Sequence, residues 1–254
     1  MADDSKVAIV TGAAGGIGRS ISLKLAASGM RVALVDLAAP GIEQLAEEVR
    51  ASGGEAMSVP IDVSEETQVN DCIQAVIHRF GQIDCLVNNA GISPKKPSGT
   101  KAFLTEISLA DWEHVLRVNL TSVFLMCKAS VSHMIQRQSG AIVNISSSAA
   151  LDGGVLAATH YSSSKGAVAA LTRTLAKELA GQGIRVNAVA PGRVQTPMAK
   201  LSSPERNQAA LARIPMGRFA QPEELADTIA YLLSEHASYI TGTTLNVSGG
   251  YVVC

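Results

Sequence analysis

The chain has 254 residues, 47% of them hydrophobic and 17% charged, with 21 Lys and Arg against 22 Asp and Glu for a formal charge of -1. That composition excludes a disordered chain. The charge balance and the 4% aromatic content leave no electrostatic footprint for nucleic acid or an anionic membrane, and little material for base-stacking platforms.

The length fits one domain over 1–254, since α/β folds often exceed 200 residues as a single unit. The opening Met1-Ala2-Asp3-Asp4-Ser5-Lys6 is acidic and lacks the apolar run of a signal peptide. The most apolar long stretch, 115–135, is interrupted by Arg117, Asn119, Lys128 and His133, so no membrane span is expected. Cys72, Cys85, Cys127 and Cys254 are far apart, with no CxxC and no metal-ligand spacing. Neither structural zinc nor a disulfide framework is expected, and reduced thiols suit a cytoplasmic protein.

In chain order, short β-branched runs alternate with longer stretches of helical period. Strands are expected at 6–11, 31–36, 55–60, 83–88, 140–145, 184–190 and 243–247, and helices near 16–28, 41–52, 65–80, 111–138, 161–181 and 222–234. Three helix starts carry signals: Ser64 before Glu65-Glu66, the Ser108/Asp111 capping box, and Pro222 before Glu223-Glu224. The pattern predicts a doubly wound parallel α/β sheet of the Rossmann type, about seven strands with helices on both faces. Two long connections, 89–108 and 191–221, are expected to wall a site, with substrate loops near 92–108 and 191–221.

The first strand runs into Thr11-Gly12-Ala13-Ala14-Gly15-Gly16-Ile17-Gly18 and then a helix. Gly12 suits a tight turn, Gly16 a close approach to a pyrophosphate, and Gly18 close helix–strand packing. The helix start supplies free N–H groups and the positive dipole end. The spacing is G-x3-G-x-G; a Walker loop is ruled out because Arg19 replaces its Lys. Asp36 ends the second strand 24 residues after Gly12, where a carboxylate can accept both ribose hydroxyls and repel a 2′-phosphate. No Lys or Arg in the turn would neutralise such a phosphate, so NAD is expected over NADP.

Tyr161 and Lys165, spaced i and i+4 in Tyr161-Ser162-Ser163-Ser164-Lys165, share one helix face. A tyrosine becomes a base for an alcohol only if its pKa of ~10 falls by about three units, roughly 4 kcal/mol. One ammonium ~5 Å away at an effective dielectric of ~20 supplies about 3 kcal/mol, and the positive ring of an oxidised nicotinamide could supply the rest. Upstream, the strand 140–145 ends in Ile145-Ser146-Ser147-Ser148, where a serine hydroxyl can hold a carbonyl or alkoxide oxygen. No G-x-S-x-G elbow exists, and His160 points about 100° away from Tyr161 around the helix. His78, His114, His133 and His236 sit in helical segments as structural or surface residues.

Taken together, these residues resemble the short-chain dehydrogenase/reductase family, NAD(P)-dependent oxidoreductases of one Rossmann-type domain. The matching motifs are TGAAGGIG at 11–18, Asp62-Val63, Asn88-Asn89-Ala90-Gly91, Asn119, NISS at 144–147, YSSSK at 161–165, PGRVQT at 191–196 and ITGTTLNVSGG at 240–250. They span essentially the whole chain. The resemblance implies cofactor contacts from Gly12, Gly16, Ile17, Gly18 and Asp36, with Asp62 and Val63 at the adenine. It places Asn89, Ala90 and Gly91 along the cleft, and Val194 and Thr196 at the nicotinamide carboxamide. Ser147 would orient the substrate oxygen and Tyr161 exchange its proton. Lys165 would bind the nicotinamide ribose and lower the tyrosine pKa, and Asn119 would hold a relay water. Many members place the serine 13 residues before the tyrosine, which here is Ser148, so Ser148 stays open beside Ser147. Members are commonly homotetramers, packed through the helices corresponding to 111–138 and 161–181 and through the C-terminal strand.

The reaction implied is interconversion of a secondary alcohol and its ketone, with a polyol, hydroxy acid or cyclic diol as substrate. An alternative is a 3-oxoacyl-(acyl-carrier-protein) reductase; against it, positions expected to be basic for the carrier hold Gln138 and Gln182, with Arg137 adjacent. An alternative of another class is a catalytically silent NAD-binding regulator, which would not require the Asn119, Ser147, Tyr161, Lys165 set. Lys95, Lys96 and Lys101 in the first loop, and Arg193 and Lys200 in the second, would favour an anionic substrate if they face the cleft.

Overall fold

A computed structural model describes residues 5–37, 40–154 and 156–253. Cys254 and the first four residues lie outside the described residues. All seven expected strands form: β1 (Val7–Thr11), β2 (Arg31–Asp36), β3 (Ala56–Pro60), β4 (Cys85–Asn88), β5 (Gly140–Ile145), β6 (Ile184–Pro191) and β7 (Thr244–Val247). They make one parallel sheet in the order β3-β2-β1-β4-β5-β6-β7. The order reverses between β1 and β4, and in open α/β sheets that switch point is where ligands bind, at the carboxyl ends of the strands.

Strand alternation divides the core into two layers. Val7 and Ile9 of β1 pack under α3 (Glu66–Phe80), α5 (Ser122–Arg137) and α7 (Thr159–Leu179), with Ile73, Met126 and Val168 as partners. Ala8 and Val10 face the other way, under α1 (Gly16–Ala27), α2 (Pro40–Ala51) and α10 (Pro222–Leu233), against Ile21, Leu45 and Leu225. Cys72, Cys85 and Cys127 are free thiols in this core, each pushed up to about 12 by burial.

The Ser108/Asp111 box opens α4 (Leu109–Leu116), with the Asp111 N–H donating to Ser108 Oγ at 3.0 Å. The last helix starts as expected at Pro222, with Glu224 accepting from the Gln221 N–H at 2.8 Å. Ser64 departs from expectation. Glu65 occupies the cap position without a side-chain bond, while Ser64 Oγ and N–H both donate to Asp62 Oδ1 at 2.8 Å.

The expected helix 111–138 is continuous in direction but broken by a π turn at Arg117–Thr121. Within that turn Asn119 clamps Ile92, its Oδ1 accepting the Ile92 N–H and its Nδ2 donating to the Ile92 carbonyl. The whole Leu109–Arg137 segment has the length and hydropathy to cross a membrane, yet it packs onto the sheet and α3 as a core helix, with Asn119, Ser122 and Ser130 buried. The second long connection contains two short helices, α8 (Pro197–Lys200) and α9 (Pro204–Leu211), each with proline in its first turn. A one-turn helix, α6 (Ala149–Asp152), follows the serine run.

Candidate active site

The glycine turn is held by Asn89. Its Nδ2 donates to the carbonyls of Thr11 and Gly12, both at 3.0 Å, while Thr11 Oγ1 accepts the N–H groups of Asn89 and Ala90 at 3.0 and 3.1 Å. The ends of β1 and β4 are thereby stitched together at the switch point. Gly12 and Gly16 have φ of +66° and +54°, a region that disfavours side chains. A Cβ on Gly18 would lie 2.0 Å from the Gly12 carbonyl oxygen. The backbone therefore forms a cradle that side chains would fill, with the N-terminus of α1 at its floor, and it fits a pyrophosphate.

Asp36 stands beside this turn. Its Oδ2 accepts the Ala14 N–H and its Oδ1 the Leu37 N–H, each at 2.8 Å. It thus anchors the glycine turn as well as ending β2, and each carboxylate oxygen retains a lone pair for a ribose hydroxyl. Asp62 and Val63 lie past the end of β3, where the Ile61 N–H donates to the Asp36 carbonyl at 2.9 Å. The loop after β6 closes over the other side: a Cβ on Gly16 would sit 3.2 Å from Thr196 Cγ2.

Ile17, Asn89, Gly91, Ser147, Ser148, Tyr161, Lys165, Val194 and Thr196 line one cleft. Gly12, Gly18, Asp36, Asp62 and Val63 lie along the strand ends beyond it. Asn119 is fully buried behind Gly91: its Oδ1 accepts the Ile92 N–H at 2.8 Å, and its Nδ2 donates to the Ile92 carbonyl at 2.9 Å and to Ser164 Oγ at 3.1 Å. Both amide hydrogens are used, and the oxygen keeps one lone pair beyond the Ile92 N–H.

The phenol of Tyr161 and the hydroxyl of Ser147 line the same cleft, where the Ser147 Oγ accepts the Ala149 N–H at 3.2 Å and Ser148 starts the α6 turn. Both serines line the cleft with the phenol. Burial pushes the Tyr161 pKa above its ordinary value, opposed by the Ser147 hydroxyl and by the positive charge of Arg193. The Lys165 ammonium is turned to the Ile145 carbonyl at 2.8 Å, and burial pulls its own pKa down to about 8. Gly91 makes room for it: a Cβ there would stand 3.3 Å from Lys165 Nζ. His160 is buried, with Asp111 and Lys95 as the charges acting on it.

The loop cations separate cleanly. Lys95 and Arg193 line the cleft. Lys96 pairs with Glu106, Lys101 donates to the Gly154 carbonyl at 3.4 Å, and Lys200 is exposed. Ser93, Ile214 and Tyr251 also line the cleft and were missed, because only tertiary packing brings them there. Thr11 had a readable signal, as the hydroxyl residue opening the glycine turn.

A phosphate cradle at the switch point and a tyrosine–serine–lysine cluster across the same cleft define a nicotinamide-dinucleotide-dependent oxidoreductase. Residues 12–252 match the family model described as enoyl-(acyl carrier protein) reductase. The chain is 39% identical over 250 residues to a 3-oxoacyl-[acyl-carrier-protein] reductase of Thermotoga maritima, covering 98% of this chain and 99% of the relative. It is 40% identical over 254 residues to a D-threitol dehydrogenase of Mycolicibacterium smegmatis, covering 98% and 94%. The crystal structure of a 3-oxoacyl-[acyl-carrier protein] reductase with bound NAD from Brucella melitensis superposes with a TM-score of 0.92 at 36% identity, covering 99% of this chain and 93% of that one. The chain belongs to the short-chain dehydrogenase/reductase family, whose members act on hydroxyl and keto groups. The reading as a catalytically silent regulator is set aside.

Proposed function

We propose that this chain interconverts a secondary alcohol and its ketone, with Tyr161 moving the proton at the reacting oxygen. The observation that carries the reading is that Ser147, Tyr161 and Lys165 line one cleft together with Asn89, Val194 and Thr196. Ser147 orients the substrate oxygen. Lys165 binds the nicotinamide ribose, and Asn119 holds a water that resupplies the proton. Gly12, Gly16, Ile17 and Gly18 hold the pyrophosphate, and Asp62 and Val63 flank the adenine. Asn89, Ala90 and Gly91 line the dinucleotide's path, and Val194 and Thr196 meet the carboxamide. When bound, the nicotinamide supplies or accepts the hydride. Asp36 favours NAD over NADP, through charge and through its free lone pairs. Tyr161→Phe is expected to lower kcat by about 10²–10⁴-fold with folding intact, followed by absorbance of the reduced nicotinamide. Turnover that survives the change would mean a different base.

For the substrate, the names of the relatives favour reduction of a 3-oxoacyl group on a carrier protein over the smaller alcohols. A polyol, hydroxy acid or cyclic diol is supported by the D-threitol dehydrogenase relative and by Asp36. At the positions weighed for carrier docking, Gln138 and Gln182 are neutral and Arg137 is engaged with the buried carboxylate of Asp84 at 3.4 Å. A comparison of kcat/KM on a 3-oxoacyl carrier thioester and on a panel of small hydroxy compounds decides between them. We further propose a one-domain cytoplasmic chain that assembles as a homotetramer.

A further inference from the structure

The cleft is lined by three cations, Lys95, Lys165 and Arg193, and by no Asp or Glu among the described residues. Lys165 is assigned above to the nicotinamide ribose, whereas Lys95 and Arg193 have no ligand assigned to them. Lys95 Nζ donates to the Leu156 carbonyl at 2.7 Å and to Ser93 Oγ at 3.3 Å, leaving one N–H of the ammonium over. Arg193 Nη2 donates to the Ala199 carbonyl at 2.9 Å and to Asn207, while its Nε is buried with no partner. Neither cation forms an ion pair among the described residues, although exposed neighbours such as Lys96 do. The two crowd each other. After burial, Arg193 is the strongest influence holding Lys95 down to about 8, followed by Arg206 and Lys101, and Lys95 in turn acts on His160. Like charges kept half-buried together, with an unsatisfied guanidinium N–H, lack the counter-charge that such groups ordinarily require.

We propose that Lys95 and Arg193 form an anion seat, so that the compound reacting at Tyr161 carries a carboxylate, phosphate or sulfonate a few bonds from its hydroxyl or keto carbon. This rests on the oxidoreductase reading above and names its substrate class. The closeness follows from the cleft itself, which Lys95, Arg193 and Tyr161 all line. The guanidinium fork matches an oxyanion, and the spare Lys95 N–H adds a second arm. The same cleft is lined by the apolar Leu156, Met198 and Ile214, which suits a short carbon skeleton. A carrier-linked 3-oxoacyl group has its phosphate at the far end of a long arm, and that phosphate would not reach the seat from a ketone at Tyr161.

The test uses the whole chain loaded with NAD. Malonate and inorganic phosphate are titrated calorimetrically against uncharged malonamide. Both anions are expected to bind, each weakened about tenfold or more by Lys95→Met and by Arg193→Met, and to compete with substrate but not with NADH. Binding is also expected to fade as pH rises through about 8, where Lys95 loses its proton. In parallel, short 2-oxo and 3-oxo acids are compared with their methyl esters and with a 3-oxoacyl carrier thioester. A kcat/KM for acid over ester of about tenfold or more supports the seat. Equal turnover of acid and ester, preference for the thioester, anions no tighter than malonamide, or affinity indifferent to both substitutions would each overturn it. Competition with NADH instead of substrate would assign the anion to the dinucleotide and overturn it too. If no alcohol or ketone reacts with either nucleotide, the oxidoreductase reading fails, whereas loss of anion binding alone leaves that reading standing.

Discussion

Lys165 holds its charge against its surroundings. The ammonium is 3% exposed, with the Ile145 carbonyl as its hydrogen-bond partner, and its pKa falls from 10.5 to about 8. That difference corresponds to roughly 3 kcal/mol lost from the folded state at neutral pH. Lys165→Met is therefore expected to stabilise the ligand-free chain by roughly 2 kcal/mol at pH 7, after allowing about 1 kcal/mol for the orphaned carbonyl, while abolishing turnover. The sign has a signature in pH. Between about 8 and 10.5 the unfolded chain binds the proton that the native chain has lost, so the wild type gains stability as pH rises and the gap to the variant closes. Denaturant unfolding at pH 7 and pH 10 measures it; a gap independent of pH would mean the lysine is not the titrating group. Asp36 gives a second residue-scale outcome. Asp36→Ala should lower the NAD/NADP ratio of kcat/KM by about tenfold or more, and cost the glycine turn the Ala14 bond; an unchanged ratio would remove Asp36 from cofactor choice. Both residues were legible, because spacing alone puts Tyr161 and Lys165 on one helix face and Asp36 at a strand end. The choice between Ser147 and Ser148 was not. It depends on where the chain turns into α6, which no periodicity in Ile145-Ser146-Ser147-Ser148 announces. Lys95 and Lys96 are likewise neighbours in sequence, and only the packing of the loop sends one inward and the other to Glu106.

At the scale of elements, the glycine turn shows that neighbouring glycines do different work. A Cβ on Gly18 would meet the Gly12 carbonyl oxygen at 2.0 Å and Asn89 Nδ2 at 2.7 Å, whereas Gly15 has φ -156° and nothing within 4 Å. Gly18→Ala must push α1 away from the ends of β1 and β4. It is expected to destabilise by about 1–3 kcal/mol or more and to weaken NADH binding with it. Gly15→Ala should stay within about 0.5 kcal/mol. Thermal unfolding of the two variants side by side checks the contrast, and equal losses would mean that helix entropy rather than close approach governs the turn. The strands and long helices were readable because continuous apolar runs and 3.6-residue periods persist over enough residues. The π turn at Arg117–Thr121 was not, since one extra residue in a long helix barely disturbs the pattern. The helices α8 and α9 were not expected within the second long connection, because four and eight residues are too few for a helical period to stand out within a loop.

Across the whole molecule, the sheet and its two cores follow from the alternation along β1, yet several apolar side chains remain outside both layers. On α5, Phe124 is 48% exposed, and on the edge strand β7, Leu245 is 38% exposed. An edge strand with unpaired backbone groups and an apolar helix face are surfaces that a second copy of the chain can cover. The proposed homotetramer uses these two faces, α5 with α7 for one contact and β7 for the other, each isologous about its own two-fold axis. If so, the contacts are separable. Phe124→Glu places a charge in the helical contact and is expected to leave dimers joined through β7. Leu245→Glu should leave dimers joined through α5 and α7, and the double variant monomers. Light scattering coupled to size-exclusion chromatography reads the masses directly. The helical contact also bears on the reaction, since α7 carries Tyr161 and Lys165 while the π turn leading into α5 carries Asn119. Dimers lacking that contact should lose kcat, whereas dimers lacking only the β7 contact should keep it. A wild-type chain running as a monomer, or both single variants remaining tetrameric, would remove the assembly and the coupling together.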